Sequence, residues 1–96
     1  MKIPADGWVN KRGTSKREEG QTMKSLWIKK GYTWPEKCSV KGCEEEATDG
    51  AHMINSSSDS MEEWIVPTCH KHNEQEGVEL ELKPGAHVCK LKNLKQ

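Results

Sequence analysis

Phenylalanine is absent from this 96-residue chain, only 32% of its residues are hydrophobic, and 31% are charged. Such a chain can bury only a small core, and at this length small cores are marginal unless something staples them. Long apolar runs are missing too. The most hydrophobic stretch is Trp64-Ile65-Val66, against the ~20 apolar residues that a membrane helix needs, and no apolar secretory segment follows Met1. One cytoplasmic domain in a reducing environment is therefore expected. There, cysteine and histidine in a pattern point to metal before disulfides, although the four cysteines could also form two bridges.

The pattern is present. Cys69 and His72 lie three residues apart, so a helix starting at Cys69 would put both side chains on one face, able to share an ion. Upstream, Cys38 and Cys43 are separated by four residues, the last of which is Gly42. A glycine there permits the tight turn that aims both sulfurs at one point, and the spacing suits a zinc ligand pair. Cys38, Cys43, Cys69 and His72 together predict one structural zinc. A zinc ion contributes roughly 10–16 kcal/mol of apparent folding free energy in small zinc domains, so metal is expected to decide whether this one folds. His70 is the alternative imidazole, although its spacing from Cys69 is poor for chelation on a helix. The whole set could instead be buried thiols packing as small hydrophobes, which is the simplest account of Cys89.

Around these residues the chain divides into a loosely ordered basic arm, residues 1–25, and a single domain, residues 26–92. Lys24 to Trp34 reads as a short strand, and Asp49 to Ile54 as another. Glu63 to Val66 should pair antiparallel with the second strand and stop at Pro67. A brief helix follows, Cys69 to Glu76, with Gly77 as its stop signal. Val78-Glu79-Leu80-Glu81-Leu82 alternates strictly, as a half-buried strand does. Lys83-Pro84-Gly85-Ala86 suits a type II turn, so His87 to Leu91 should return as the second strand of a C-terminal hairpin, with the tail from Lys92 frayed. Trp8, Trp27, Trp34 and Trp64 are expected to build the core, although tryptophans can also stack on bases.

The zero net charge hides an asymmetry. Residues 1–43 carry ten Lys/Arg against four Asp/Glu, or +6, and residues 44–96 carry five against eleven, or −6. Lys11, Arg12, Lys16 and Arg17 could contact nucleic-acid phosphates; equally, the two halves could be solvated faces that attract each other. His52 is the candidate general base, since an unperturbed imidazole can take a proton near neutral pH, or else a satisfied, partly buried histidine. Asn73 and Glu74 could hold a second, hard cation such as magnesium through oxygen, or simply solvate the helix.

A cysteine pair, a strand with Gly50-Ala51-His52, a polar loop, then Ile65-Val66-Pro67-Thr68-Cys69-His70-Lys71-His72-Asn73 resembles the HNH endonuclease family. The likeness covers about residues 38–77. It implies an α+β, treble-clef (ββα-metal) fold stapled by zinc, with the arm and the C-terminal hairpin outside it. It also implies metal-dependent cleavage of DNA. His52 would activate water, while Asn73 or Glu74 on the helix and an acidic residue near His52 would hold the catalytic ion. Where the family has an aspartate directly before the histidine this chain has Ala51. Asp49, on the same strand face as Ala51, is the acidic residue left to reach that ion. His72 stands where a cysteine is usual, and Glu62-Glu63 where an asparagine is usual. Two functions follow: a DNA endonuclease with His52 as base, or a non-catalytic treble-clef zinc module that binds nucleic acid or a protein.

Overall fold

The sheet is a meander of four antiparallel strands, seen in a computed structural model that describes residues 4–11, 17–56 and 62–94. In chain order the elements are β1 (Trp8–Asn10), α1 (Arg17–Lys29), β2 (Asp49–Asn55), β3 (Trp64–Thr68), α2 (His70–Asn73), β4 (Cys89–Lys90) and α3 (Leu91–Leu94). The molecule is thus a small α+β domain with three helices among the described residues. None of them is long and apolar enough to cross a membrane.

Alternation along β2 and β3 divides the apolar residues between two clusters. Ala51, Met53 and Val66 join Trp8, Val40, Leu80, Leu82 and the thiols Cys38 and Cys69 in one cluster. Ile65, which leaves β3 on the other face, packs with Met23 and Trp27 of α1 and with Leu91 and Leu94 of α3. The tryptophans are shared out accordingly. Trp8 meets Trp64 edge to face at 5.8 Å, and Trp27 meets Trp34 at 5.5 Å.

The stretch expected to be arm and short strand is helix and strand instead. Trp8 is fully buried and exchanges backbone hydrogen bonds with Leu80, while β1 pairs with β2 on its other side. Residues 17–29 are helical because Gly20, Met23 and Trp27 recur on one face, the face laid against β2. Glu18 and Glu19 in the first turn and Lys29 in the last suit the helix dipole. The Leu26-Trp27-Ile28 run reads as a strand only if this wider period is missed; Ile28 points outward and is 51% exposed.

Two glycines let the helix come this close. A Cβ on Gly50 would lie 2.8 Å from the Met23 Cβ and 2.9 Å from the Lys24 backbone nitrogen, and one on Gly20 would lie 3.0 Å from the Asp49 Cβ.

The C-terminal hairpin does not form among the described residues. Leu80 and Leu82 are buried as the alternation requires, but they bridge to Trp8 and Val40. Cys89 and Lys90 pair with Ile65 and Trp64 of β3. These partners belong to β1 and to the segment between Cys38 and Cys43, and packing against them wins over local pairing. The turn itself forms, with Ala86 N–H donating to the Lys83 carbonyl at 3.1 Å. Of the tail expected to fray, residues 92–94 belong to α3 and Leu94 is buried, while residues 95–96 lie outside those described.

β3 runs through Pro67 to Thr68 instead of stopping before the proline. β4 covers only Trp64 and Ile65, so Pro67 lies beyond the β3–β4 ladder, where a missing N–H removes no ladder bond. Helix α2 is shorter than expected, four residues in place of eight.

Candidate metal centre

Two corners converge at the end of β3. In the first, Gly42 adopts φ +83°, and Cys43 N–H donates to the Val40 carbonyl at 3.0 Å, closing the knuckle. Ser39 N–H then donates to the Pro67 carbonyl at 2.9 Å, and Lys83 N–H to the Ser39 carbonyl at 2.8 Å. The knuckle is therefore stitched to β3 and to the segment after Leu82. In the second corner Cys69 is the N-cap of α2, and His72 follows within the same turn.

Cys38, Cys43, Cys69 and His72 meet there, their four donor atoms all within 4.8 Å of one another. Cys38 Sγ lies 3.5 Å and Cys69 Sγ 3.2 Å from His72 Nδ1, and Cys43 Sγ lies 3.9 Å from Cys69 Sγ. Around a tetrahedral ion with zinc-like bonds, the expected edges are about 3.8 Å for S···S and about 3.6 Å for S···N. The set is thus already spaced for one ion.

Burial pushes the Cys38 thiol up to about 12, against the pull of the Val40 and Cys69 backbone groups that hydrogen-bond it. A thiolate there needs a cation beside it. Burial, with Lys71 next in the chain, lowers the His72 pKa and so favours the neutral ring, whose nitrogen can ligate.

His70, the alternative imidazole, is committed elsewhere. Its Nδ1 lies 2.7 Å from Asp49 Oδ2, which also accepts from Asn73 Nδ2 at 2.9 Å, while Thr48 Oγ1 donates to Asp49 Oδ1 at 3.0 Å. Glu74 faces the other nitrogen of His70 at 3.6 Å. Asp49 and Glu74, the pair assigned to a second cation, are therefore separated by an imidazole. Burial alone would raise the Asp49 pKa, but the hydrogen bonds from His70, Asn73 and Thr48 outweigh it and the net shift is downward. A carboxylate with a lowered folded pKa stabilises the fold above its ordinary value of 3.8, and that contribution is lost as pH falls through the lower folded value. Asp49→Asn is expected to destabilise the protein by about 2 kcal/mol at neutral pH. In urea titrations the gap between parent and variant should shrink below the ordinary carboxylate range; a gap independent of pH would contradict this role.

His52 is 6% exposed, and both ring nitrogens face carboxylates. Nδ1 is 3.1 Å from Glu19 Oε1 on α1, and Nε2 is 2.5 Å from Glu63 Oε1, which also accepts from Lys11 Nζ at 2.6 Å. Carboxylates accept. A proton on either ring nitrogen would therefore meet a carboxylate oxygen before it met water. The Lys11 hydrogen bond, against some burial and with help from His52, lowers the Glu63 pKa. His52 and Asn73, expected to share one catalytic site, thus have different polar partners. Helix α1 lies over both, through Glu19 at His52 and Gly20 at Asn73.

Of the basic residues assigned to phosphate, Lys11 is paired with Glu63. Arg12 and Lys16 lie outside the described residues, as does the side chain of Arg17. Elsewhere the basic and acidic halves meet, in Lys41–Glu81 at 3.1 Å and Lys37–Glu44 at 3.7 Å. Glu19, Glu63 and Asn10, all of which touch these clusters, were given no site role from the sequence, because they meet their partners 33, 11 and 62 positions away only through the fold.

Comparison with protein-family models, with curated proteins and with solved structures finds no match. The chemistry of the centre is therefore argued from its own donors and spacing.

Proposed function

We propose that Cys38, Cys43, Cys69 and His72 hold one zinc ion, and that the chain is a zinc-stapled module of the treble-clef, ββα kind that serves as a binding scaffold. The observation that carries this is the closed donor set, four protein atoms at tetrahedral spacing. Three thiolates and one imidazole suit a borderline-soft ion, and a site with four protein ligands leaves no open position for substrate. Zinc there would supply folding free energy and not Lewis-acid chemistry. The N-terminal excess of positive charge supports nucleic acid as the partner to test first.

A metal-dependent nuclease is the second reading. It is favoured by the order β2–β3–α2, with His52 on the first of these strands and Asn73, bonded to Asp49, on the helix. For His52 to act as base, Glu19 or Glu63 must leave its ring, and magnesium or another divalent ion would have to enter.

Plasmid nicking with magnesium, manganese or nickel separates the two. The scaffold reading expects no cleavage by the parent, by Glu19→Gln or by His52→Ala, with one zinc retained per chain. Metal-dependent nicking by the parent that His52→Ala abolishes would overturn it. Neutralising Lys11, Arg12, Lys16 and Arg17 together is expected to weaken DNA binding and flatten its salt dependence; unchanged binding would remove DNA as the partner.

A further inference from the structure

Helix α2 is four residues long, too short to persist unaided, and its last carbonyls lack partners within the helix. One side chain from a distant strand caps the His72 carbonyl of the helix and the Gln75 carbonyl just beyond it. Asn10 Nδ2 donates to the His72 carbonyl at 2.7 Å and to the Gln75 carbonyl at 2.8 Å. Asn10 is 3% exposed, and its Oδ1 is buried without a hydrogen-bond partner. An orphaned amide oxygen is unfavourable, so an apolar residue of similar volume would suit the site better if packing were all that mattered. What the amide adds is the two-hydrogen fork.

The fork bears directly on the metal centre. His72 faces the sulfurs with Nδ1, the ring nitrogen nearer the backbone. Only the Cα–C, Cα–Cβ and Cβ–Cγ rotations lie between that nitrogen and the peptide whose carbonyl Asn10 holds. Asn10 itself is fixed by pairing with Met53 of β2.

Resting on the zinc reading above, we infer that Asn10 is a positioning residue of the metal centre: its amide holds the His72 carbonyl, sets Nδ1 on the ion, and couples docking of β1 to metal capture. Residues that orient a ligand from outside the coordination shell typically change metal affinity by about 10–100-fold when altered.

The test uses the full chain loaded with cobalt(II), whose visible absorption is intense in a tetrahedral site, and with zinc, whose transfer to a chelator is timed. Asn10→Leu keeps the branched shape and removes the fork, Asn10→Ser keeps one donor, and Leu94→Ala weakens the cluster on the α1 side, away from the four-residue donor set. Asn10→Leu is expected to lose cobalt absorption and to release zinc about 10-fold faster or more, with Asn10→Ser intermediate. Leu94→Ala should keep the parental spectrum and release rate despite a lower melting temperature. A parental spectrum and release rate in Asn10→Leu would overturn the inference, as would equal changes in Leu94→Ala. If Asn10→Leu does not fold, Asn10→Ser against Leu94→Ala decides by the same criteria. A parent that takes up neither metal would instead overturn the zinc reading itself.

Discussion

Stripping the metal with a strong chelator is expected to erase the cooperative thermal transition and most of the far-ultraviolet circular dichroism. The physical reason lies in where the ligands sit. Cys38 and Cys69 belong to the same buried cluster as Trp8, Val40, Ala51, Met53, Val66, Leu80 and Leu82. Without an ion that cluster contains three thiols and an imidazole facing one another, in place of packed hydrocarbon. Structural zinc contributes roughly 10–16 kcal/mol in small domains, and whole domains are stable by only about 5–15 kcal/mol. Loss of the ion therefore outweighs what the two small apolar clusters can supply. Cys69→Ser should behave like the stripped parent, because a serine hydroxyl is a poor substitute for a thiolate on zinc. His72→Ala, which leaves three sulfurs and room for water, should bind metal more weakly and still fold when metal is in excess. A chelated chain that melts cooperatively near the temperature of the loaded one would contradict the stapling role.

The second large effect is expected at Gly50. A methyl group there would sit 2.8 Å from the Met23 Cβ, 2.9 Å from the Lys24 nitrogen and 3.1 Å from the Ile65 Cγ2. Neither a backbone atom nor a Cβ can swing aside as a long side chain can, so the helix itself must move. Overpacking of this kind costs about 3 kcal/mol, at the upper end of its usual range. For a domain near this size that lowers the melting temperature by roughly 15 °C. The displacement should also separate Glu19 from His52, since α1 carries both Met23 and Glu19. Gly50→Ala is thus expected to lower the melting point strongly and to shift the His52 ring resonances, while leaving the cobalt spectrum near parental. A melting point within a few degrees of the parent would mean that α1 does not lie so close.

The convergence of Cys38, Cys43, Cys69 and His72 was legible in the sequence because its signals are local. Four intervening residues between Cys38 and Cys43, three steps from Cys69 to His72, and a glycine before Cys43 each constrain geometry within a turn. The pairing of β2 with β3 was legible for the same reason, through the β-branched and aromatic residues of Trp64-Ile65-Val66 after a polar loop. What was hidden depends on contacts between distant segments. Helix α1 shows only Met23 and Trp27 as strongly apolar inward positions, and the adjacent Leu26 and Ile28 blur its period into a run. Its register on β2 is set by Gly20 and Gly50, whose role shows only once the two elements touch. The hairpin expected after Gly77 failed although its alternation was real. Leu80 and Leu82 alternate because they point into a core, and the alternation does not say which strand they pair with. The polar partners of His52 come from residues 33 and 11 positions away, a separation at which sequence patterns carry little information.

The HNH resemblance finds no support in the comparisons, and the chemistry of His52 is argued from its surroundings. A histidine at that place in β2 is compatible with a water-activating base, but its surroundings decide. Here Glu19 and Glu63 occupy its two nitrogens, and Ala51 supplies no carboxylate for a catalytic ion. Asp49 is buried and bonded to His70, Asn73 and Thr48.

X-ray absorption at the zinc edge of the metal-loaded protein tests the central claim most directly. One zinc per chain is predicted, with three sulfurs at about 2.3 Å and one nitrogen at about 2.0–2.1 Å. In Cys69→Ser, whatever zinc still binds should lose one of the three sulfurs. A first shell dominated by oxygen, or less than stoichiometric zinc on a folded chain, would contradict it.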